Sequence, residues 1–218
     1  MKTATHTKTV SYTSTNSYET RGELTEHTQY VWLVFHGIGY LSRYFLRYFD
    51  VLCQKEHYII APQAPAKYYL KDDYKYVGAS WLTKENTSQE IRNNLNYLDQ
   101  VMQAEAVPKN CKLVVLGFSQ GVSMATRWLA HSKRPCHRLL LFAGRVPQEL
   151  RAQDMQHLET GGTEIYSLVG DQDPFISPAL MALEQEHLKS LFGNTVKHLV
   201  FAGGHEIKKE MLPSLAES

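Results

Sequence analysis

Apolar runs of strand length punctuate the chain, and helical periodicities lie between them. Tyr30-Val31-Trp32-Leu33-Val34-Phe35 is continuously apolar, the pattern of a strand buried on both faces. Arg138 to Gly144 and Ile165 to Gly170 read the same way, and Tyr58 to Ala61, Leu113 to Leu116 and Val196 to Phe201 are further strands. A helix is predicted from about Leu41 to Lys55, with Leu41, Phe45, Tyr48, Phe49 and Leu52 on one side. A second begins at Thr87, where Thr87 and Glu90 fit a capping box; Ile91, Leu95, Leu98 and Met102 mark its face, and Val107-Pro108 ends it. Val122 to Ala130 is a third. Ser177-Pro178, an N-cap followed by proline at the first helical position, opens a fourth that runs to Phe192. A short terminal helix is expected over Glu206 to Leu212, stopped or kinked at Pro213.

Two stretches depart from this rhythm. Near the N-terminus His6, Lys8, Val10 and Tyr12 alternate with Thr5, Thr7, Thr9 and Ser11, which predicts one or two antiparallel edge strands before residue 24. Pro62 to Asn86 has no periodicity and is rich in aromatics: Tyr68, Tyr69, Tyr74, Tyr76 and Trp81. It reads as a long loop, a feature that is often functional. From residue 30 onward strands alternate with helices. That pattern predicts one α/β domain over residues 1–218, with a mostly parallel central sheet, helices on both faces and antiparallel strands only at the N-terminal edge. Between Phe142 and Ile165 there is no room for a large cap domain.

Composition narrows the functional classes. The 218 residues are 43% hydrophobic and 21% charged, with a net charge of +1, so neither nucleic acid nor an anionic membrane surface is an expected partner. Met1 to Lys8 has no apolar core of a secretory signal, and no run of 18 apolar residues exists. Cys53, Cys111 and Cys136 are odd in number and widely spaced, so they read as buried reduced thiols of a cytoplasmic protein. No His-Glu-x-x-His or paired-cysteine spacing suggests a metal, and no Gly-x-Gly-x-x-Gly follows a strand to suggest a dinucleotide; no cofactor is expected.

The candidate chemistry centres on Gly117-Phe118-Ser119-Gln120-Gly121, which joins an apolar strand to a helix. A Gly-x-Ser-x-Gly alone arises by chance in roughly one chain in twenty of this length. Its position between strand and helix is the context of a nucleophile elbow, in which Ser119 is exposed on a sharp turn. Serine needs a base, and the base an orienting acid, in the chain order Ser, Asp or Glu, His. Gly170-Asp171-Gln172-Asp173 follows one apolar strand and Gly203-Gly204-His205 follows the next. His6, His27, His131, His157, His187 and His198 lie in polar settings, and His57 and His137 precede strands. His36 precedes the elbow and reads as shaping the loop after the first central strand. His205 is left as the base, with Asp171 or Asp173 as the acid. Oxyanion stabilisation would come from the backbone N–H of Gln120 and, from the loop after the first central strand, that of Ile38. Trp81, Leu82, Phe142, Phe175 and Ile176 are candidates for the substrate wall, with Phe142 the one better explained by core packing.

Together, Gly117-Phe118-Ser119-Gln120-Gly121, His36-Gly37-x-Gly39, Gly170-x-x-Asp173-Pro174-Phe175-Ile176 and Gly204-His205-Glu206-Ile207 resemble the phospholipase/carboxylesterase family of α/β-hydrolases, which includes small bacterial carboxylesterases and acyl-protein thioesterases. The resemblance runs from about residue 30 to the C-terminus. It implies the α/β-hydrolase fold and a cofactor-free Ser119–Asp173–His205 triad acting on carboxylic esters or thioesters through an acyl-enzyme. Two positions depart from the family pattern: Val122 stands where a second glycine is common, and Trp81-Leu82-Thr83 where Trp-Phe-Asp is frequent. Two competing readings use the same fold: a binding protein that keeps the triad as a polar network, and an acyltransferase with an acceptor other than water. Monomer and homodimer are both compatible with the sequence.

Overall fold

Every residue from Tyr30 to Phe35 is buried, and successive side chains go to opposite faces. Val31, Leu33 and Phe35 enter one core, while Tyr30, Trp32 and Val34 enter another. A strand with two apolar faces must lie inside the sheet, and the rest of the fold is arranged around that requirement. The computed structural model describes residues 6–217. In chain order its strands are β1 (Tyr18–Arg21), β2 (Tyr30–Phe35), β3 (His57–Pro62), β4 (Ala66–Tyr69), β5 (Val77–Ser80), β6 (Lys112–Phe118), β7 (Arg138–Phe142), β8 (Glu164–Gly170) and β9 (Val196–Phe201). Its helices are α1 (Ser42–Phe45), α2 (Thr87–Ala104), α3 (Gln120–Ser132), α4 (Ala152–Thr160), α5 (Pro178–Phe192) and α6 (Leu212–Glu217).

Seven strands form one sheet in the order β1-β3-β2-β6-β7-β8-β9. All neighbours pair in parallel except β1, which runs antiparallel to β3. This is the α/β-hydrolase architecture, with no large cap among the described residues. Side chains of α2, α3, α4 and α5 fill the core on one face. Those of α1, the 3₁₀ turn after it and α6 fill the other. The register brings the carboxyl ends level: Phe35 pairs with Gly117, Phe118 with Phe142, Phe142 with Leu168, and Gly170 with Phe201. The loops leaving β2, β6, β7, β8 and β9 therefore emerge along one edge, where ligands bind in folds of this kind. No helix among the described residues is long and apolar enough to cross a membrane.

Several local expectations are corrected. The alternation from His6 to Tyr12 makes no strand; only Tyr18–Arg21 joins the sheet, and Thr5 lies outside the described residues. The helix expected over 41–55 is one turn, α1, continued as a 3₁₀ segment over Leu46–Val51. Leu46, Phe49 and Leu52 are spaced by three and all buried in one core, a repeat that matches three residues per turn better than 3.6. The expected loop over 62–86 contains an antiparallel ribbon of β4 and β5. All four β4 residues are exposed, so it carries no alternation that a sequence reading could detect. The N-cap of α2 is Asn86 in the left-handed conformation (φ 50°), not Thr87, whose hydroxyl donates to the Thr83 carbonyl. Pro213 does not end a helix; it sits in the first turn of α6, where a missing N–H costs nothing. Of the cysteines, Cys136 is buried, Cys111 partly so and Cys53 exposed.

Arg138 is fully buried at the start of β7. It donates from Nε to Glu164 Oε2 (2.8 Å) and from Nη1 to the Leu215 carbonyl (2.6 Å), tying α6 to the sheet. Lys197 Nζ donates to the other Glu164 oxygen at 2.6 Å. Lys197 and then Arg138 hold the Glu164 carboxyl down at about 2. A depressed acid contributes stability above its ordinary value of 4.5 that is lost as pH falls toward 2. Thermal melts from pH 5 to about pH 2 should show this loss in the wild type, and Glu164→Gln should flatten that part of the curve.

Candidate active site

The turn after β6 is held in a conformation that serine rarely adopts. Ser119 has φ 53° and ψ −120°, between the last residue of β6 and the first of α3. Its N–H donates to the Phe142 carbonyl at 2.8 Å, extending the sheet ladder by one bond. Three glycines let neighbouring backbone close in. A Cβ on Gly121 would meet the Phe35 carbonyl oxygen at 2.1 Å, and one on Gly117 would meet Val122 Cα at 2.5 Å. A Cβ on Gly144 would meet the Ser119 carbonyl oxygen and Val122 Cγ2, each at 2.4 Å. Val122 is fully buried, so a valine following the elbow and a glycine at 144 share one space.

The loops after β8 and β9 bring the expected partners to this serine. His205 Nε2 lies 2.9 Å from Ser119 Oγ, and His205 Nδ1 lies 2.7 Å from Asp173 Oδ2. Asp173 Oδ1 accepts the Phe175 N–H at 2.8 Å, and its side chain is completely buried. A carboxylate only accepts, so in the neutral ring Nδ1 carries the proton and Nε2 is free to accept from the serine hydroxyl. Asp171 has a different position: its Oδ1 accepts the Gly203 N–H at 3.0 Å and fixes the loop that carries His205. The His205 ring is flanked by Phe118 and Phe175, with centroids 5.1 and 4.8 Å away.

A cavity of about 540 Å³ opens beside Ser119. Ile38, Gln120, Phe175 and Ile176 line it, together with Tyr40, Phe118 and Leu180. Trp81 and Leu82 do not. Trp81 is buried, and its Nε1 donates to the His36 carbonyl at 2.8 Å; Leu82 packs beside it against the core. Phe142 is likewise core. Trp81 therefore serves the site from beneath. The amide of Gln120 joins it there: Oε1 accepts the Trp81 N–H (2.8 Å) and Nε2 donates to the Leu82 carbonyl (2.7 Å). His36 completes the support. It is fully buried, its Nε2 accepts the Ala64 N–H at 3.1 Å, and its Nδ1 donates to the Gly37 carbonyl at 2.8 Å. Gly39 (φ 85°) then turns the loop, and its N–H donates to the Ala79 carbonyl of β5 at 2.8 Å.

Sequence reasoning missed Tyr40, Leu180 and Arg145 as lining residues. Tyr40 and Arg145 lie within a few residues of strand carboxyl ends, the signal that marks the other loops. Leu180 is reached only through the fold of α5 and leaves no such trace.

Residues 21–218 match the phospholipase/carboxylesterase family. The chain belongs to that family. Membership supports hydrolysis of esters as the class of reaction. Among solved structures, an acyl-protein thioesterase 2 from Zea mays is similar at 16% identity, with a TM-score of 0.66 over 92% of this chain and 96% of that one. A phospholipase/carboxylesterase from Dyadobacter fermentans is similar at 20% identity, with a TM-score of 0.63 over 94% and 96%. At these identities the likeness is one of fold. No curated protein matches the sequence.

Two measurements check the local physics. Alanine in place of Gly121 would gain about 1 kcal/mol of helix propensity, yet its Cβ meets backbone that cannot move freely. Gly121→Ala should therefore be destabilised by about 1–3 kcal/mol, read from the urea midpoint. Burial pushes His36 down to about 4, against a smaller lift from its bond to the Gly37 carbonyl. Its NMR ring signals should titrate near pH 4. Stability should fall as pH drops from 6.5 toward 4, because only the unfolded chain takes up that proton in this window.

Proposed function

We propose that the protein is a serine esterase or thioesterase that works through an acyl-enzyme. The observation that carries this reading is the continuous chain Ser119 Oγ–His205 Nε2–Asp173, at 2.9 and 2.7 Å, at the mouth of an apolar-lined cavity. Serine is a poor nucleophile until a base takes its proton, and this chain supplies both base and orienting acid.

In the reaction Ser119 Oγ attacks the substrate carbonyl while His205 Nε2 accepts the hydroxyl proton. The C–O or C–S bond to the leaving group breaks, and His205 returns the proton to it. Water repeats the sequence on the acyl-serine: His205 takes its proton, hydroxide adds to the carbonyl, and Ser119 leaves with the proton. Asp173 stabilises the imidazolium formed in each half. The N–H groups of Gln120 and Ile38 would receive the oxyanion. Gln120 opens α3, so its N–H has no acceptor within the helix and benefits from the helix dipole. A donor of this kind typically contributes about 3 kcal/mol to the transition state. Phe175 and Ile176 would form part of the acyl wall. Ile38 and Phe175 are 53% and 69% exposed, so the rim is open and suits short or medium acyl groups, or one displayed on a larger molecule. The name of the maize neighbour, an acyl-protein thioesterase, is in keeping with the second kind.

Release of p-nitrophenol from esters of increasing acyl length tests the reading. Ser119→Ala should lose about a millionfold in kcat, and Asp173→Asn about 10⁴. Asp171→Asn should lose far less, because Asp171 bonds only the loop backbone. A serine-directed phosphonate should label the wild type and not Ser119→Ala. Equal activity in wild type and Ser119→Ala would overturn the mechanism.

A further inference from the structure

Arg145 is the one residue lining the Ser119 cavity that carries a permanent charge, and no Asp or Glu lines it among the described residues. It follows Gly144, the residue packed against the Ser119 carbonyl, in the loop leaving β7. An arginine in such a place usually has its donors spent on a partner. Arg127, one helix away, shows that state: Nε and Nη2 both reach Glu149 Oε1, and Nη1 donates to Ser123 Oγ. Arg145 differs. Its one ion-pair partner among the described residues is Glu184, a long contact with Nε 3.5 Å from Oε2.

Glu184 is a weak counter-charge. It is nearly buried, its Oε1 accepts the Val146 N–H at 2.7 Å, and Oε2 is buried without a hydrogen-bond partner. Burial raises its carboxyl above the usual range, against smaller lowering by the Val146 N–H, His187 and Arg145. Glu184 thus holds the loop through Val146 and places one edge of the guanidinium. The outer fork, Nη1 and Nη2, stays open on a side chain that is 50% exposed. Two parallel N–H donors of that kind match a carboxylate bidentately.

We propose that Arg145 is a specificity residue that selects substrates bearing a carboxylate besides the scissile ester, with Glu184 as its positioning residue. This rests on the esterase reading above. The carboxylate can belong to the acyl chain or to the leaving alcohol, and the test separates the two.

Two matched pairs of esters probe it: monoethyl adipate against ethyl hexanoate, with the charge on the acyl side, and 4-(butanoyloxy)benzoate against phenyl butanoate, with the charge on the leaving side. The quantity read is the ratio of kcat/KM for the anionic ester to that for the neutral one, in wild type, Arg145→Gln and Arg145→Lys. Comparing one ratio across variants cancels the intrinsic reactivity of each ester. In at least one pair the ratio should fall about tenfold or more in Arg145→Gln, and Arg145→Lys should recover part of it. The pair that responds identifies the side carrying the charge. Independently of any variant, the wild-type ratio for that pair should fall as sodium chloride is raised, while the neutral ester alone sets the baseline. A purely structural role for Arg145 would change both members of a pair together. Ratios that do not depend on residue 145 or on salt, with the neutral esters cleaved, overturn this inference and leave the esterase reading standing. Failure of the wild type to cleave any of the four esters or to take the phosphonate label overturns both.

Discussion

The site depends on a close approach of backbone to backbone at the end of β6. Ser119 sits in a conformation that costs a non-glycine residue of order 1–3 kcal/mol, and it stays there because its surroundings leave no alternative. Its N–H is bonded to β7, and Gly121 lies against the carbonyl end of β2 with no space for a methyl group. Relaxing the serine would pull α3 away from β2 and open the core beneath Val122, Met124 and Ala125. The strain is therefore offset by apolar packing many residues away, and the side chain that could do chemistry is the part left free.

Around that point the molecule distinguishes residues that touch the cavity from residues that hold those in place. Trp81, His36 and the amide of Gln120 form a hydrogen-bonded layer just below it, joining the loop after β2, the ribbon of β4 and β5, and the start of α3. Each member satisfies a buried polar group that would otherwise be costly to leave unpaired. The loop carrying Ile38 is thus fixed from two sides: by His36 reaching Ala64, and by Gly39 bonding to Ala79.

What the sequence discloses and what it conceals follow one physical line. Strands buried on both faces, such as β2 and β6, announce themselves as continuous apolar runs, and with them came the sheet, its parallel character and the loops at its carboxyl edge. Ser119, Asp173 and His205 are legible because each follows an apolar run, in an order the fold dictates, although the run before His205, β9, is mostly half-exposed or exposed. Choosing Asp173 over Asp171 needed the family resemblance, since both residues follow the same strand and only the fold shows which one faces the imidazole. The ribbon of β4 and β5 was hidden because β4 stands in solvent, and a strand without a buried face has no period to read. Trp81 lies under the cavity rather than in its wall, and an aromatic in an aperiodic stretch looks the same in sequence either way. Arg145 is inconspicuous in the sequence, because a single charge after a strand is commonplace until the fold shows how few partners it has.

The parts of the site are far apart along the chain. Ser119 lies 86 residues before His205, and Asp173 lies 32 before it. The histidine arrives only after β9, the outermost strand, whose residues are mostly half-exposed or exposed. The central strands can be complete while the imidazole is still absent. Local opening of a protein starts where little apolar surface is buried, and β9 is such a place. The Ser119–His205 contact therefore reports on the docking of one edge strand rather than on the integrity of the core. A chain that has lost that contact can still hold its central sheet, and by most spectroscopic measures it would pass for folded.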